Sequence, residues 1–279
     1  MEHIDPVDPG TDDSRRRPGG PDSTVGQDTR HQPSRVRAGR GRNWITDAWS
    51  LVRDQPWHWI IAALSLTLTV NALERVPWLM LVSVYLAPVL YGGLIIGAHT
   101  QYHGGRFKIM HLFAASIREH PGVHAVGLIA VALCVITRGV SQVVVYAISG
   151  SADWSLLFAA ADEQTGLIDL LVSSPFELLL GIPATMAIYF APPLVALDRV
   201  PVLRALKLSF VGCLRNILAF LVFGLNLVFI ALGLLLATIF LGLAFGQYGV
   251  LLILELAALV LVPVFVVSNY IAYRDIYYR

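Results

Sequence analysis

Stretches free of Asp, Glu, Lys and Arg alternate along this chain with short basic segments. Residues 55–73 form the first such stretch. At about 1.5 Å per residue a helix of this length reaches ~28 Å, close to the ~30 Å hydrocarbon layer of a bilayer. The turn Glu74-Arg75-Val76-Pro77 ends it, and residues 76–105 are again uncharged, which places a second helix at 78–99. A third span runs from Pro121 to Ile148 and is interrupted by Arg138. A fourth, over 171–197, contains Pro175, Glu177, Pro183 and the pair Pro192-Pro193. Residues 216–254 carry no charge at all. As one helix they would measure about 58 Å, twice the membrane core, so the chain must turn back. The glycines of Gly246-Gln247-Tyr248-Gly249 mark the turn, and a sixth span runs from there to Ala272.

Between these spans the apolar residues keep helical spacing. From Asn43 to Gln55 one face gathers Trp44, Ile45, Ala48, Trp49 and Val52. After the basic run His103-Gly104-Gly105-Arg106-Phe107-Lys108 come Ile109, Met110, Phe113 and Ile117 on one face. Between Asp198 and Asn216 the face is Leu203, Leu206, Phe210 and Leu214, with Arg204 off it and Lys207 at its margin. Such helices lie in the interface plane. The expected fold is all-α and transmembrane, a six-helix bundle of three hairpins over 43–279, each preceded by an interfacial amphipathic helix. Residues 1–42 are rich in proline and glycine, hold no Phe, Trp or Tyr, and read as a disordered cytoplasmic tail ending in four arginines.

Composition sharpens this picture. Charged residues make up 14% of the chain and mean hydropathy is +0.66, against about 25% charged in a soluble domain. The distribution of charge then orients the bundle. With the N-terminus in the cytoplasm, every Lys and Arg outside the spans falls on the inner side except Arg75, and the acidic loop 149–170 falls outside. Both termini are expected in the cytoplasm. The two cysteines, Cys134 and Cys213, lie at different depths and cannot form a disulfide framework.

Three starts align: Ser50-Leu51-Val52-Arg53-Asp54-Gln55-Pro56, Ala115-Ser116-Ile117-Arg118-Glu119-His120-Pro121 and Gly212-Cys213-Leu214-Arg215-Asn216. The second helices align at Leu86-Ala87-Pro88-Val89-Leu90, Phe190-Ala191-Pro192-Pro193-Leu194 and Leu261-Val262-Pro263-Val264-Phe265. This reads as a threefold repeat in which Arg53, Arg118 and Arg215 anchor depth at the inner edge. The acid, amide or Pro that follows suits a helix N-terminus. The third start lacks the Pro.

The runs Phe190-Ala191-Pro192, Ala205-Leu206-Lys207-Leu208-Ser209-Phe210, Arg215-Asn216 and Tyr273-Arg274-Asp275-Ile276 resemble a family of uncharacterised bacterial six-span inner-membrane proteins. Ala48-Trp49 through Arg53-Asp54-Gln55-Pro56 is similar to that family's start. The likeness covers 43–279. It implies the bacterial cytoplasmic membrane and brings no catalytic residue. A looser likeness, in layout only, is to the membrane domain fused to some glycerophosphodiester phosphodiesterases.

Three charges sit within spans: Arg138, Glu177 and Glu255. An ionisable group at that depth costs about 2.5–3.5 kcal/mol on insertion scales and needs a reason. All three fall in the outer third of the membrane, and Gln142 lies one turn from Arg138. They are candidates for one buried polar cluster; the alternative is that each snorkels separately to the surface. His99, His103, His111, His120 and His124 crowd the first inside connector, but no Cys or carboxylate completes a ligand set, so interfacial histidines are expected and no metal or other cofactor. Gly93-Leu94-Ile95-Ile96-Gly97 and Gly242-Leu243-Ala244-Phe245-Gly246 let helix backbones approach, within the bundle or between copies in a homo-oligomer. No His-Glu-x-x-His, Gly-x-Ser-x-Gly or phosphate loop is present. The expectation is a non-enzymatic polytopic membrane component that organises lipid or partner proteins and takes membrane lipids, not nucleic acid, as partners. The alternative is a transporter or channel for a small solute or lipid.

Overall fold

A computed structural model describes residues 32–76, 79–117, 121–150, 154 and 167–278. The architecture below is that of Pro33–Arg279. Its helices are α1 (Arg40–Asp54), α2 (Pro56–Glu74), α3 (Leu79–Tyr102), α4 (Ala114–Ile117), α5 (Pro121–Ser149), α6 (Leu167–Tyr189), α7 (Ala191–Ala196), α8 (Val202–Arg215), α9 (Ile217–Phe245) and α10 (Gln247–Tyr277). A 3-10 turn, Ile109–Phe113, precedes α4. Among the described residues there is no strand, and five helices are long and apolar enough to cross a membrane: Leu79–Tyr102, Pro121–Ile148, Glu177–Ala196, Ile217–Phe245 and Gln247–Tyr277. The α2 helix occupies the place of the first predicted span but falls outside that set. It is a shorter helix, and His58, Ser65, Thr67, Thr69 and Asn71 dilute its apolar content.

One neighbour relation recurs. The α3 helix packs on the 3-10 turn and α4, α6 and α7 pack on α8, and α10 packs on α1. Each long helix thus meets the short segment that opens the next stretch of chain, and the last meets the first. Glycines set the closest approaches. A Cβ on Gly41 would run into the Ala219 carbonyl and the Phe223 amide, so α1 crosses α9 backbone to backbone. At Gly93 a Cβ would strike the carbonyls of His111 and Leu112, and at Gly97 the Phe107 ring. This glycine pair therefore seats the first connector. The second pair serves a turn. Gly246 has φ +61°, and a Cβ on Gly249 would meet the Leu241 carbonyl, which lets α9 and α10 fold back within one residue.

Several expectations need correction. The tail predicted over 1–42 lies outside the described residues up to 31, but its end is part of the fold. Ser34 N–H donates to the Ile276 carbonyl (2.7 Å), and α1 begins at Arg40. On α1, Trp44, Ala48 and Val52 are buried while Trp49 is 48% exposed. The i, i+4 row faces protein, and Trp49 lies beside it. On α8 the small residues face the protein, and Leu206 and Phe210 are half-buried. Ala205, Ser209, Gly212 and Cys213 are buried, whereas Leu203 is 79% and Leu214 52% exposed. Small residues admit close helix contact, and large apolar ones cost nothing against lipid. Ile109, Met110 and Phe113 likewise share a face, and it is the exposed one.

The fourth predicted span breaks at Phe190 (φ −103°, ψ 0°). The Ser209 hydroxyl accepts from Phe190 N–H (2.8 Å) and donates to the Met186 carbonyl (2.7 Å). It stands between the two groups that a regular helix would pair directly, so the break leaves neither unsatisfied. Around it lies the aromatic core, Phe190, Tyr273, Tyr277 and Phe220, which joins Trp44 of α1.

Candidate functional site

The α3 and α5 helices are pinned together near Tyr85. Its hydroxyl bonds His124 Nδ1 (2.7 Å), and Gly127 lets its carbonyl touch the α5 backbone. Beyond this contact α3, α5 and α6 enclose a cleft of about 410 Å³. Its walls are apolar: Val84, Ala87 and Pro88 from α3, Ala130 and Leu133 from α5, Ala184 and Ile188 from α6. Arg138 and Glu177 line the same cleft, together with Thr137 and Thr185. Gly181 opens the α6 wall, since a Cβ there would meet nothing within 4 Å. Ala130, Cys134 and Arg138 form an i, i+4 row along α5, so the cleft runs from mid-helix to the charged pair, about 12 Å of helix.

The polar groups are engaged unevenly. An Arg138 guanidinium nitrogen, Nη1, approaches Met80 Sδ at 3.7 Å. The Glu177 carboxylate is half-buried and makes no hydrogen bond or ion pair with a described residue. Gln142 continues the α5 row one turn past Arg138. It is 1% exposed, and neither its amide nitrogen nor its amide oxygen has a hydrogen-bond partner among the described residues. Each unsatisfied buried group of this kind costs about 1–3 kcal/mol. Glu255 stands apart: it is exposed on α10 and does not line the cleft. Of the four residues singled out by sequence, the fold brings Arg138 and Glu177 into one cavity, sets Gln142 in line with them, and leaves Glu255 on another surface.

The interfacial anchors are placed as follows. Arg53 is exposed in the last turn of α1. Arg215 ends α8 and donates through Nη1 to the Pro33 carbonyl (3.1 Å). Arg118 lies outside the described residues, as does His120. The other clustered histidines have separate partners. His99 Nδ1 bonds the Tyr270 hydroxyl (3.0 Å), His103 packs on His99, and His111 Nδ1 accepts from Lys108 N–H (3.0 Å).

Sequence reasoning missed the densest polar set, at the end that carries both described termini. The Asp275 carboxylate accepts from Arg40 Nε (2.7 Å) and from Trp44 Nε1 (3.0 Å), with its side chain 10% exposed. Asp198 accepts from the hydroxyls of Tyr273 and Tyr278. Arg274 lies over the Tyr102 ring at 3.7 Å. Burial pushes the Cys213 thiol up to about 12. The signal was present in the run Tyr273-Arg274-Asp275, but its partners lie far away in sequence.

No family model, no curated protein and no solved structure matches the chain.

Proposed function

We propose that this chain is a six-span protein of the bacterial cytoplasmic membrane, both termini inside, that holds a membrane amphiphile in the cleft between α3, α5 and α6. The observation that carries the reading is the cleft's composition: apolar walls along its length, with Arg138 and Glu177 at one end. An acyl or isoprenoid chain fits the first part. A polar head with both donor and acceptor groups fits the second, where Arg138 donates and Glu177 accepts. The outer faces beside the cleft are apolar and exposed, at Ile136 and Val140 on α5 and at Leu178, Leu179 and Ile182 on α6. Entry from the lipid therefore crosses no polar barrier.

The six-span count adds α2, with Trp57, 73% exposed, at its start as an interfacial anchor. The role is that of a non-enzymatic component organising lipid, which the cleft's apolar walls support. Native mass spectrometry of protein released from mild detergent tests this. A co-released amphiphile should be present in wild type, lost on Glu177→Gln and on Arg138→Gln, and kept on Glu255→Gln. Bare wild-type protein would refute the reading.

A second reading, movement of a small solute or lipid, draws on Pro88 in the cleft wall and Pro183 in α6. Prolines weaken the backbone ladder and permit bending. Flux of a labelled lipid in proteoliposomes, abolished by Glu177→Gln, would favour it.

A further inference from the structure

Asn216 sits between α8 and α9 and clasps an extended strand of backbone. Its Oδ1 accepts from Val36 N–H (2.8 Å), and its Nδ2 donates to the Ser34 carbonyl (2.9 Å). Arg35, between the two clasped residues, is turned outward and exposed. Gln55 sits between α1 and α2 and does the same to another strand. Its Oε1 accepts from Phe107 N–H (2.9 Å), and its Nε2 donates to the Gly105 carbonyl (3.2 Å). Arg106, between them, is again exposed. One device thus occurs twice: a junction amide grips residues n and n+2 and presents the arginine at n+1. In both cases a second arginine stands at the end of the short helix, Arg215 or Arg53.

At the Asn216 clasp these parts border a groove of about 610 Å³. Arg35 and Arg215 line it, no Asp or Glu does, and Leu214, Ile217 and Leu218 form its apolar side. Leu218, Leu221 and Leu225 continue that side along α9, all more than half exposed. Arg215 spends one nitrogen on the Pro33 carbonyl, and Arg35 makes no bond within the described residues. The Gln55 clasp differs in having exposed Asp54 next to Arg53, which offsets its charge.

We propose that the Asn216 groove is a binding site for an anionic phospholipid, its phosphate between Arg35 and Arg215 and its acyl chains along the leucines of α9. Guanidinium forks match phosphate oxygens, and cations at the membrane surface favour anionic headgroups. The apolar side of the groove gives a free phosphate nothing to rest on, so the occupant is a lipid. The proposal rests on the reading that the chain spans a membrane with this end at the headgroup level, and it is independent of the cleft.

The test uses full-length protein in mild detergent, titrated with phosphatidylglycerol or phosphatidylcholine, with bound lipid counted by native mass spectrometry. Wild type should retain phosphatidylglycerol preferentially. Arg35→Gln, at an exposed side chain that holds nothing in the fold, should weaken retention about fivefold. Arg35→Lys should restore most of it, and Asn216→Ala should weaken it by releasing the strand. Equal retention of both lipids, an Arg35→Gln variant that binds as wild type, or displacement of phosphatidylglycerol by millimolar inorganic phosphate would overturn the site. Glu177→Gln separates the two readings. It should empty the cleft and leave phosphatidylglycerol at the groove, so either can fail while the other stands.

Discussion

The two ends of the helix bundle treat polar side chains differently. At the end with the described termini, side chains repair backbone. Ser209 bridges the break at Phe190, Asn216 and Gln55 clasp extended strands, and Asp275 ties Arg40 and Trp44 of α1 to α10. At the cleft end, Glu177 and Gln142 are held in place with their hydrogen-bonding capacity unspent. A polar group that is fully paired stabilises the fold, and one left unpaired in a dry region costs stability. The first end holds the protein together. The second holds buried polar groups that no described residue pairs, the feature on which the proposed amphiphile site rests.

Substitutions should separate the two ends by sign. Asp275→Ala should have the largest effect, about 3 kcal/mol of destabilisation, because it leaves Arg40 and the Trp44 indole without their buried acceptor. Thermal unfolding in detergent measures it, and a change below the error of the measurement would remove the contrast. Asn216→Ala should cost about 2 kcal/mol by the same assay, since it frees two strand contacts and its own bond to the Gly212 carbonyl.

At the cleft end the sign should invert. Gln142→Leu should raise stability by about 1 kcal/mol, because it replaces an unsatisfied buried amide with an apolar group of similar size. A loss of stability there would mean that Gln142 is satisfied in the working protein. Glu255→Gln should change neither stability nor lipid retention. The smallest expectation concerns the cysteines. With its thiol pushed up to about 12 by burial, Cys213 stays protonated well above neutral pH, so maleimide at pH 8 should leave it unmodified until the protein unfolds. Rapid labelling of folded protein would show that α8 does not pack as described.

The five long apolar helices were legible because length and apolarity are written locally. A run of uncharged residues of helical length, ended by a Gly or Pro turn, needs no partner to be recognised. The turn at Gly246 and the starts at Pro56 and Pro121 follow from this. Facing was less legible. The leucine row of α8 marked an interfacial stripe, and nothing in its spacing said that Ala205, Ser209 and Gly212 would be the residues turned to the protein. In lipid the large apolar side chain has no preference for protein, so periodicity reports a stripe without saying which way it looks.

What the sequence determined by itself is the all-helical class, the run of apolar helices and the depth of Arg138 and Glu177 along theirs. Each depends on residues within one helix length. The tertiary structure decided which of those depths coincide. It put Arg138 and Glu177 in one cleft and left Glu255 on another face. It bound Ser34 to the C-terminal helix, and it joined Asp275 to Arg40 across almost the whole chain. Such pairings depend on which helix lies beside which, and in a membrane many neighbours bury apolar surface equally well. The choice falls to a few glycine contacts, such as Gly41 on α9, and to hydrogen bonds whose partners are far apart in sequence.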